Sequence, residues 1–222
     1  MERIMITGAG RGIGKSLLLE GLERGYQIVA TVRDPAQAKA LPSNVEVLQL
    51  DVTDTDTLTR VAAELSGSID VLVNNAGIIG PKRQSSLDMD FEGFIETLKI
   101  NTIAPLAVTQ AFLPHLKKST GPKLIMISSQ MGRLAYQKSD RIAYRASKAA
   151  LNKVMQGLAT DLFASGIAVQ SLDPGWARTD MGGQEADISP QDSATGLMDR
   201  IEELTMANTG TFMNYAGETI DW

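Results

Sequence analysis

The chain has no cysteine, which excludes disulfides and thiolate zinc sites and is compatible with a reducing, intracellular setting. It has one histidine, His115. A Ser-His-Asp hydrolase would need that residue as its base, yet in Phe112-Leu-Pro-His-Leu116 it has no obvious partner and reads as an ordinary helix-end residue. No metal site is expected. Positive charge is in deficit, with 21 Lys and Arg against 26 Asp and Glu for a net −5, so there is no overall pull toward nucleic acid or anionic membranes. Any bound anion must be met by a local site. Long apolar runs are missing too: no window approaches the ~18 residues of a membrane span, and Met1–Thr7 is too short in apolar residues for a signal sequence. The expectation is a soluble, cytoplasmic protein without nucleic-acid or membrane partners.

What is present is alternation. Short apolar runs at 4–6, 27–32, 45–50, 69–73, 123–127 and 167–172 read as buried strands, with a final strand at 210–214. Between them, helical patterns cover 13–24, 54–65, 91–118, 142–164 and 190–204, the third being two helices or one broken near Asn101 to Pro105. This order predicts an α/β fold, a Rossmann-type doubly wound domain with a seven-stranded parallel sheet and helices on both faces. No repeat, low-complexity tract or linker divides residues 1–222, so one domain is expected, with loops at 80–90, 139–141 and 182–189.

Two local patterns carry chemistry. Thr7-Gly-Ala-Gly-Arg-Gly-Ile-Gly14 joins the first strand to the first helix, where glycines allow close backbone approach and the free amides of a helix N-terminus attract a pyrophosphate. The pattern is T-G-x-x-x-G-x-G on Thr7, Gly8, Gly12 and Gly14; it fits neither G-x-G-x-x-G nor a P-loop. The second pattern is Tyr144-Arg-Ala-Ser-Lys148, a phenol and an ammonium four positions apart on one helical face. A lysine cation beside a phenol favours the phenolate, so the pair is expected to exchange a proton near neutral pH.

The glycine loop, Asn74-Asn-Ala-Gly77, Asn101, Ser128-Ser129, Tyr144-x-x-x-Lys148 and Pro174-Gly175 together resemble the short-chain dehydrogenases/reductases, in order and over the whole chain. Ser128-Ser-Gln-Met-Gly132, Pro174-Gly-Trp-Ala-Arg-Thr-Asp-Met-Gly-Gly183 and the terminal 210–222 segment are most similar to the sniffer-type carbonyl reductases and C-factor-like proteins. The resemblance implies hydride transfer between NADP(H) or NAD(H) and a small carbonyl or alcohol substrate. It gives Tyr144 the role of general acid/base. It implies that Lys148 lowers the Tyr144 pKa and holds the nicotinamide ribose, that Ser129 donates to the substrate oxygen, and that Asn101 braces the helix and a water. Gly8, Arg11, Gly12, Ile13 and Gly14, then Asp51, Val52, Asn75, Ala76 and Gly77, and finally Pro174, Gly175, Ala177 and Thr179, are its implied cofactor contacts. For Asp51 a capping role, and for Asn74 and Asn75 a bracing role, are equally open. The Ser129–Tyr144 spacing is longer than the commoner family pattern, with the extra residues in 137–141.

Cofactor choice is read from the end of the second strand, Ala30-Thr-Val-Arg33. An acidic residue ~20 positions past the glycine loop holds a ribose 2′-hydroxyl, and an arginine there accommodates a 2′-phosphate. Arg33 and Arg11 favour NADP(H). Asp34 could serve NAD, but Asp34-Pro35 reads better as an N-cap followed by proline at the first helical position. The short segment between Thr179 and Pro190 predicts an open pocket. A homodimer or homotetramer is possible through Ala104–Val108 and Leu151–Met155, unless those faces pack on the sheet. A dinucleotide-binding regulatory or signalling protein on the same fold is the alternative reading.

Overall fold

The structure, a computed structural model, describes residues 2–222. Its elements follow the alternation closely: β1 (Arg3–Ile6), α1 (Gly12–Glu23), β2 (Gln27–Val32), α2 (Pro35–Ala38), β3 (Glu46–Gln49), α3 (Thr55–Glu64) and β4 (Val71–Asn74). A short antiparallel hairpin comes next, β5 (Gln84–Ser85) with β6 (Asp88–Met89), inside the segment expected to be only loop. Then come α4 (Phe91–Leu98), a π-helical turn at Lys99–Ile103, α5 (Ala104–Leu116), β7 (Lys123–Ile127), α6 (Ile142–Leu162), β8 (Ala168–Asp173), α7 (Pro190–Glu203) and β9 (Phe212–Asn214).

Seven strands form one parallel sheet in the order β3-β2-β1-β4-β7-β8-β9. Ile6 lies opposite Ala30 on one side and Val73 on the other, so the winding reverses between β1 and β4. At such a reversal the connections leave in opposite directions, and a crevice opens at the carboxyl ends of the strands.

Side chains alternate across the sheet as strand geometry requires. Ile4, Ile6, Val71 and Val73 face one layer with Leu17 and Leu18 of α1 and Leu197 and Ile201 of α7. Met5 and Leu72 face the other, against Leu58 of α3, Phe112 of α5, and Leu151 and Met155 of α6. Val108, Leu151 and Met155 thus belong to the core and pack on the sheet.

Local signals fix the helix starts. The carboxylates of Asp34, Asp54 and Asp90 accept from first-turn amides of α2, α3 and α4, and Ser189 does the same for α7. His115 does have partners: its Nδ1 lies 3.0 Å from the Gly67 carbonyl and its Nε2 2.9 Å from that of Ala62, which ties the α3–β4 connection to the end of α5.

Candidate active site

The glycine turn stands at the reversal point. Gly8 and Gly12 have φ of +66° and +55°, in the left-handed region that glycine adopts without penalty. A Cβ on Gly14 would lie 2.4 Å from Asn75 Nδ2 and 2.5 Å from the Gly8 carbonyl, so only glycine lets α1 pack this closely on the loop. The N-cap of α1, Arg11, makes no side-chain cap bond, and the first turn carries no acid. The amides there keep their capacity for an anion. That uncapped, carboxylate-free helix start fits a pyrophosphate.

Asn74, which ends β4, and Asn75, which follows it, both brace the structure. Asn74 Nδ2 donates to Thr109 Oγ1 (3.1 Å) on α5, while Asn75 Nδ2 donates to the carbonyls of Thr7 (2.9 Å) and Gly8 (3.2 Å). The amides of Asn75 and Ala76 share the Thr7 hydroxyl at 2.9 and 3.1 Å. The end of β4 is thereby locked to the glycine turn.

Asn101 sits on the π-helical turn, fully buried. Its Oδ1 accepts from the Ile78 amide (2.8 Å), and its Nδ2 donates to the Ile78 carbonyl (2.8 Å) and to Ser147 Oγ (3.0 Å). Ser147 in turn donates to the Tyr144 carbonyl at 2.7 Å. A π-helical turn shifts the register of a helix locally, and here it brings the amide of Asn101 between the Ile78 loop and α6. A Cβ on Gly77 would meet Asn101 Oδ1 at 3.2 Å and Lys148 Nζ at 3.7 Å, so the loop passes close to both.

Ser129 caps the 3-10 turn Gln130–Gly132 after β7, its Oγ accepting from the Met131 amide at 3.2 Å. Ser128 points away, donating to Asn152 Oδ1 at 2.6 Å. Tyr144 and Lys148 share one face of α6 and are both buried. The net shift of the phenol is upward, opposite to the one expected, and burial is its first cause. Lys148 Nζ donates to the Ile127 carbonyl (2.8 Å) and lies 5.7 Å from the centroid of the Tyr144 ring. Burial pushes the phenol up to about 12, with the Asp173 charge adding to it and the Ser129 hydroxyl opposing. Burial likewise lowers the Lys148 ammonium to about 8, against the pull of Asp173. Desolvation is the largest cause for both groups, and it favours the protonated phenol at neutral pH.

Asp173, at the end of β8, is the group at this site that sequence reading missed. Burial lifts its carboxyl to about 6, offset by the backbone amides of Gln130 and Gly175 and by Lys148. The available signal was an acid ending a buried strand just before Pro174-Gly175. It lines a cavity of about 300 Å³ with Gln130, Gly175, Trp176, Ile188 and Tyr215. A raised carboxyl pKa stabilises the fold most below the unfolded value of 3.8, and that contribution is lost as pH rises toward about 6. Asp173→Asn should therefore abolish this part of the pH dependence. Urea unfolding across that window is the measurement; parallel wild-type and variant curves would contradict the burial argument.

Gly175 has φ +73°, and a Cβ there would press on Tyr215 at 2.8 Å and Ile188 at 2.9 Å. Beyond it the segment after Thr179 folds on itself. Trp176 Nε1 donates to the Gly182 carbonyl (2.8 Å), Arg178 reaches the carbonyls of Ala186 and Asp187, and Ala177 bridges to Ile188. The longer Ser129–Tyr144 connection is tied down by Arg145, which pairs with Asp140 at 2.8 Å and stacks over Tyr136 at 5.0 Å.

Just past the end of β2, Arg33 and Asp34 are exposed. Asp34 Oδ1 accepts from the Ala36 amide at 2.8 Å, the capping geometry. Arg11 meets Asp180 at 3.2 Å across the cleft. The Asp51 carboxylate accepts from the Thr53 amide (2.9 Å) and hydroxyl (2.8 Å). Those bonds, with Arg33 and Lys99 nearby, hold it below the usual range despite desolvation.

The sheet order and the glycine turn at its reversal define a Rossmann-type α/β fold, with a Tyr-Lys pair and a serine at the carboxyl ends of the adjacent strands. The chain belongs to the short chain dehydrogenase family, whose model matches residues 2–189. C-signal of Myxococcus xanthus is 38% identical over 158 residues, covering 71% of this chain and 95% of that protein. Among solved structures, the carbonyl reductase Sniffer of D. melanogaster superposes with TM-score 0.94 at 31% identity over 100% of both chains. The NADPH-bound carbonyl reductase from chicken fatty liver does so with TM-score 0.92 at 30% identity, over 100% of this chain and 99% of its own.

Proposed function

We infer that this oxidoreductase uses NADP(H) and a small carbonyl or alcohol substrate, with residues 1–222 acting as one dinucleotide-binding and catalytic domain. One observation carries the reading: Tyr144, Lys148 and Ser129 are all buried, in a fold whose first strand runs into a helix with no side-chain cap and no acid in its first turn. Bound there, the reduced dinucleotide would supply the hydride. The amides of Gly8 to Gly14 would hold its pyrophosphate, Arg11 and Arg33 the 2′-phosphate, and Asp51 and Val52 the adenine. Asn75, Ala76 and Gly77 would flank its middle, and Pro174, Gly175, Ala177 and Thr179 its nicotinamide end.

Hydride arrival builds negative charge on the substrate oxygen. Ser129 Oγ donates a hydrogen bond to that oxygen, and Tyr144 Oη gives it a proton, a task suited to a phenol that stays protonated at neutral pH. In the reverse direction Tyr144 must act as base. Charge on Lys148 lowers the cost of that phenolate, by less than burial raises it, and Asn101 keeps α6 in place through Ser147.

The test is NADPH oxidation with a panel of small aldehydes, ketones and quinones; no turnover with any of them would sink the reading. A signalling protein on the same fold is favoured by the similarity to C-signal, and NADPH binding without turnover would support that instead. Lys148→Met should weaken cofactor binding and move the pH at which alcohol oxidation gains its base upward, since the phenolate loses its cation. An unchanged pH–rate profile in an active variant would show the two residues to be uncoupled.

A further inference from the structure

Helix α6 begins without a local cap. Its N-cap residue, Arg141, is held at φ 52° and ψ 44° and makes no side-chain cap bond. A capping side chain ordinarily takes the amide of the second or third helical residue. Here the third is Tyr144 itself, and its amide donates to Gln84 Oε1 at 3.2 Å, from a residue 60 positions away on β5.

Gln84 is buried, and its amide is in full use. Nε2 donates to the carbonyls of Pro81 (2.8 Å) and Ile79 (3.0 Å). Gly80, at φ +88°, lets the loop curl round it: a Cβ there would lie 3.3 Å from Gln84 Oε1 and 2.8 Å from Thr97 Oγ1. Only a primary amide offers an acceptor to one neighbour and two donors to others on a single side-chain end. The same loop is gripped one residue earlier by Asn101 at Ile78. The backbone of Tyr144 is therefore held from both sides, its carbonyl by Ser147 and its amide by Gln84.

We propose that Gln84 is a positioning residue for Tyr144, capping the start of α6 from β5 and joining it to the loop that follows Gly77. This rests on the assignment of Tyr144 as proton donor. The cap sets where the first turn of α6 stands, and a proton donor displaced by about 1 Å can lose up to about a hundredfold in rate.

The experiment compares Gln84→Met and Gln84→Glu with wild type. Met supplies neither acceptor nor donors; Glu keeps an acceptor opposite the Tyr144 amide and gives up the donors to Ile79 and Pro81. Hydrogen exchange of the Tyr144 amide, which needs no substrate, should quicken at least about tenfold in Gln84→Met and much less in Gln84→Glu. In carbonyl reduction, kcat should fall about tenfold in the Met variant and less in the Glu variant, with KM for the carbonyl and Kd for NADPH within about twofold. If the Met variant does not fold, Gln84→Asn, one methylene too short to reach Tyr144, replaces it with the same expected results.

Unchanged exchange at Tyr144, or a Glu variant as impaired as the Met variant in both readouts, would overturn the proposal, because Gln84 would then brace the loop alone. Tyr144→Phe is run beside them. Wild-type turnover in that variant would remove the proton-donor reading beneath the proposal, whereas its inactivity with an unaffected Met variant would remove only the role of Gln84.

Discussion

Tyr144→Phe should lower kcat at least about a hundredfold, the usual scale for losing general acid–base catalysis, while NADPH binding stays close to wild type. The phenol oxygen is the only atom removed, and the ring remains in its buried place on α6. Because burial holds the phenol at about 12, it is protonated across the neutral range, and the reduction rate should not depend on its titration there. Stopped-flow reduction of an active aldehyde, with fluorescence titration of NADPH, checks both halves. Retained turnover would mean that another group, or water, delivers the proton.

Most of the fold was legible because its signals are local. Apolar runs for strands, 3.6-period helices, Asp34-Pro35 and the glycine turn each act over a few residues, and each stands where its pattern predicts. The break anticipated near Asn101 to Pro105 is the π-helical turn at Lys99–Ile103. The hairpin at Gln84–Met89 escaped because its strands are two residues each and show no alternation to read.

At the candidate site, the spacing of residues was legible and their energetics were not. Four-residue spacing places Tyr144 and Lys148 on one face, but whether charge attraction or desolvation sets their protonation depends on burial, which spacing does not encode. Gln84 and Asp173 illustrate the same limit. Each acts on residues distant in sequence, Gln84 on Tyr144 and Asp173 on Gln130 and Lys148, and neither belongs to a pattern that announces it. His115 met two carbonyls for the same reason: its partners arrive only when α3 and α5 pack together.

Arg33→Asp should weaken NADPH binding by about 2 kcal/mol or more, roughly thirtyfold in Kd, and NADH binding much less. Arg33 is exposed at the end of β2, beside an Asp34 whose carboxylate is already committed to the Ala36 amide. That cap bond occupies Asp34 Oδ1 and leaves the Arg33 guanidinium exposed for a phosphate. Arg11, now paired with Asp180 at 3.2 Å, can exchange that partner for a phosphate at little cost, since an exposed ion pair contributes about 1 kcal/mol or less. The substitution removes one guanidinium and sets a carboxylate against the 2′-phosphate, a penalty NADH does not meet. Fluorescence titrations of both cofactors at fixed salt decide the matter. Equal losses for the two, or a wild-type preference for NADH, would make Arg33 ordinary surface charge and return the choice of cofactor to Asp34.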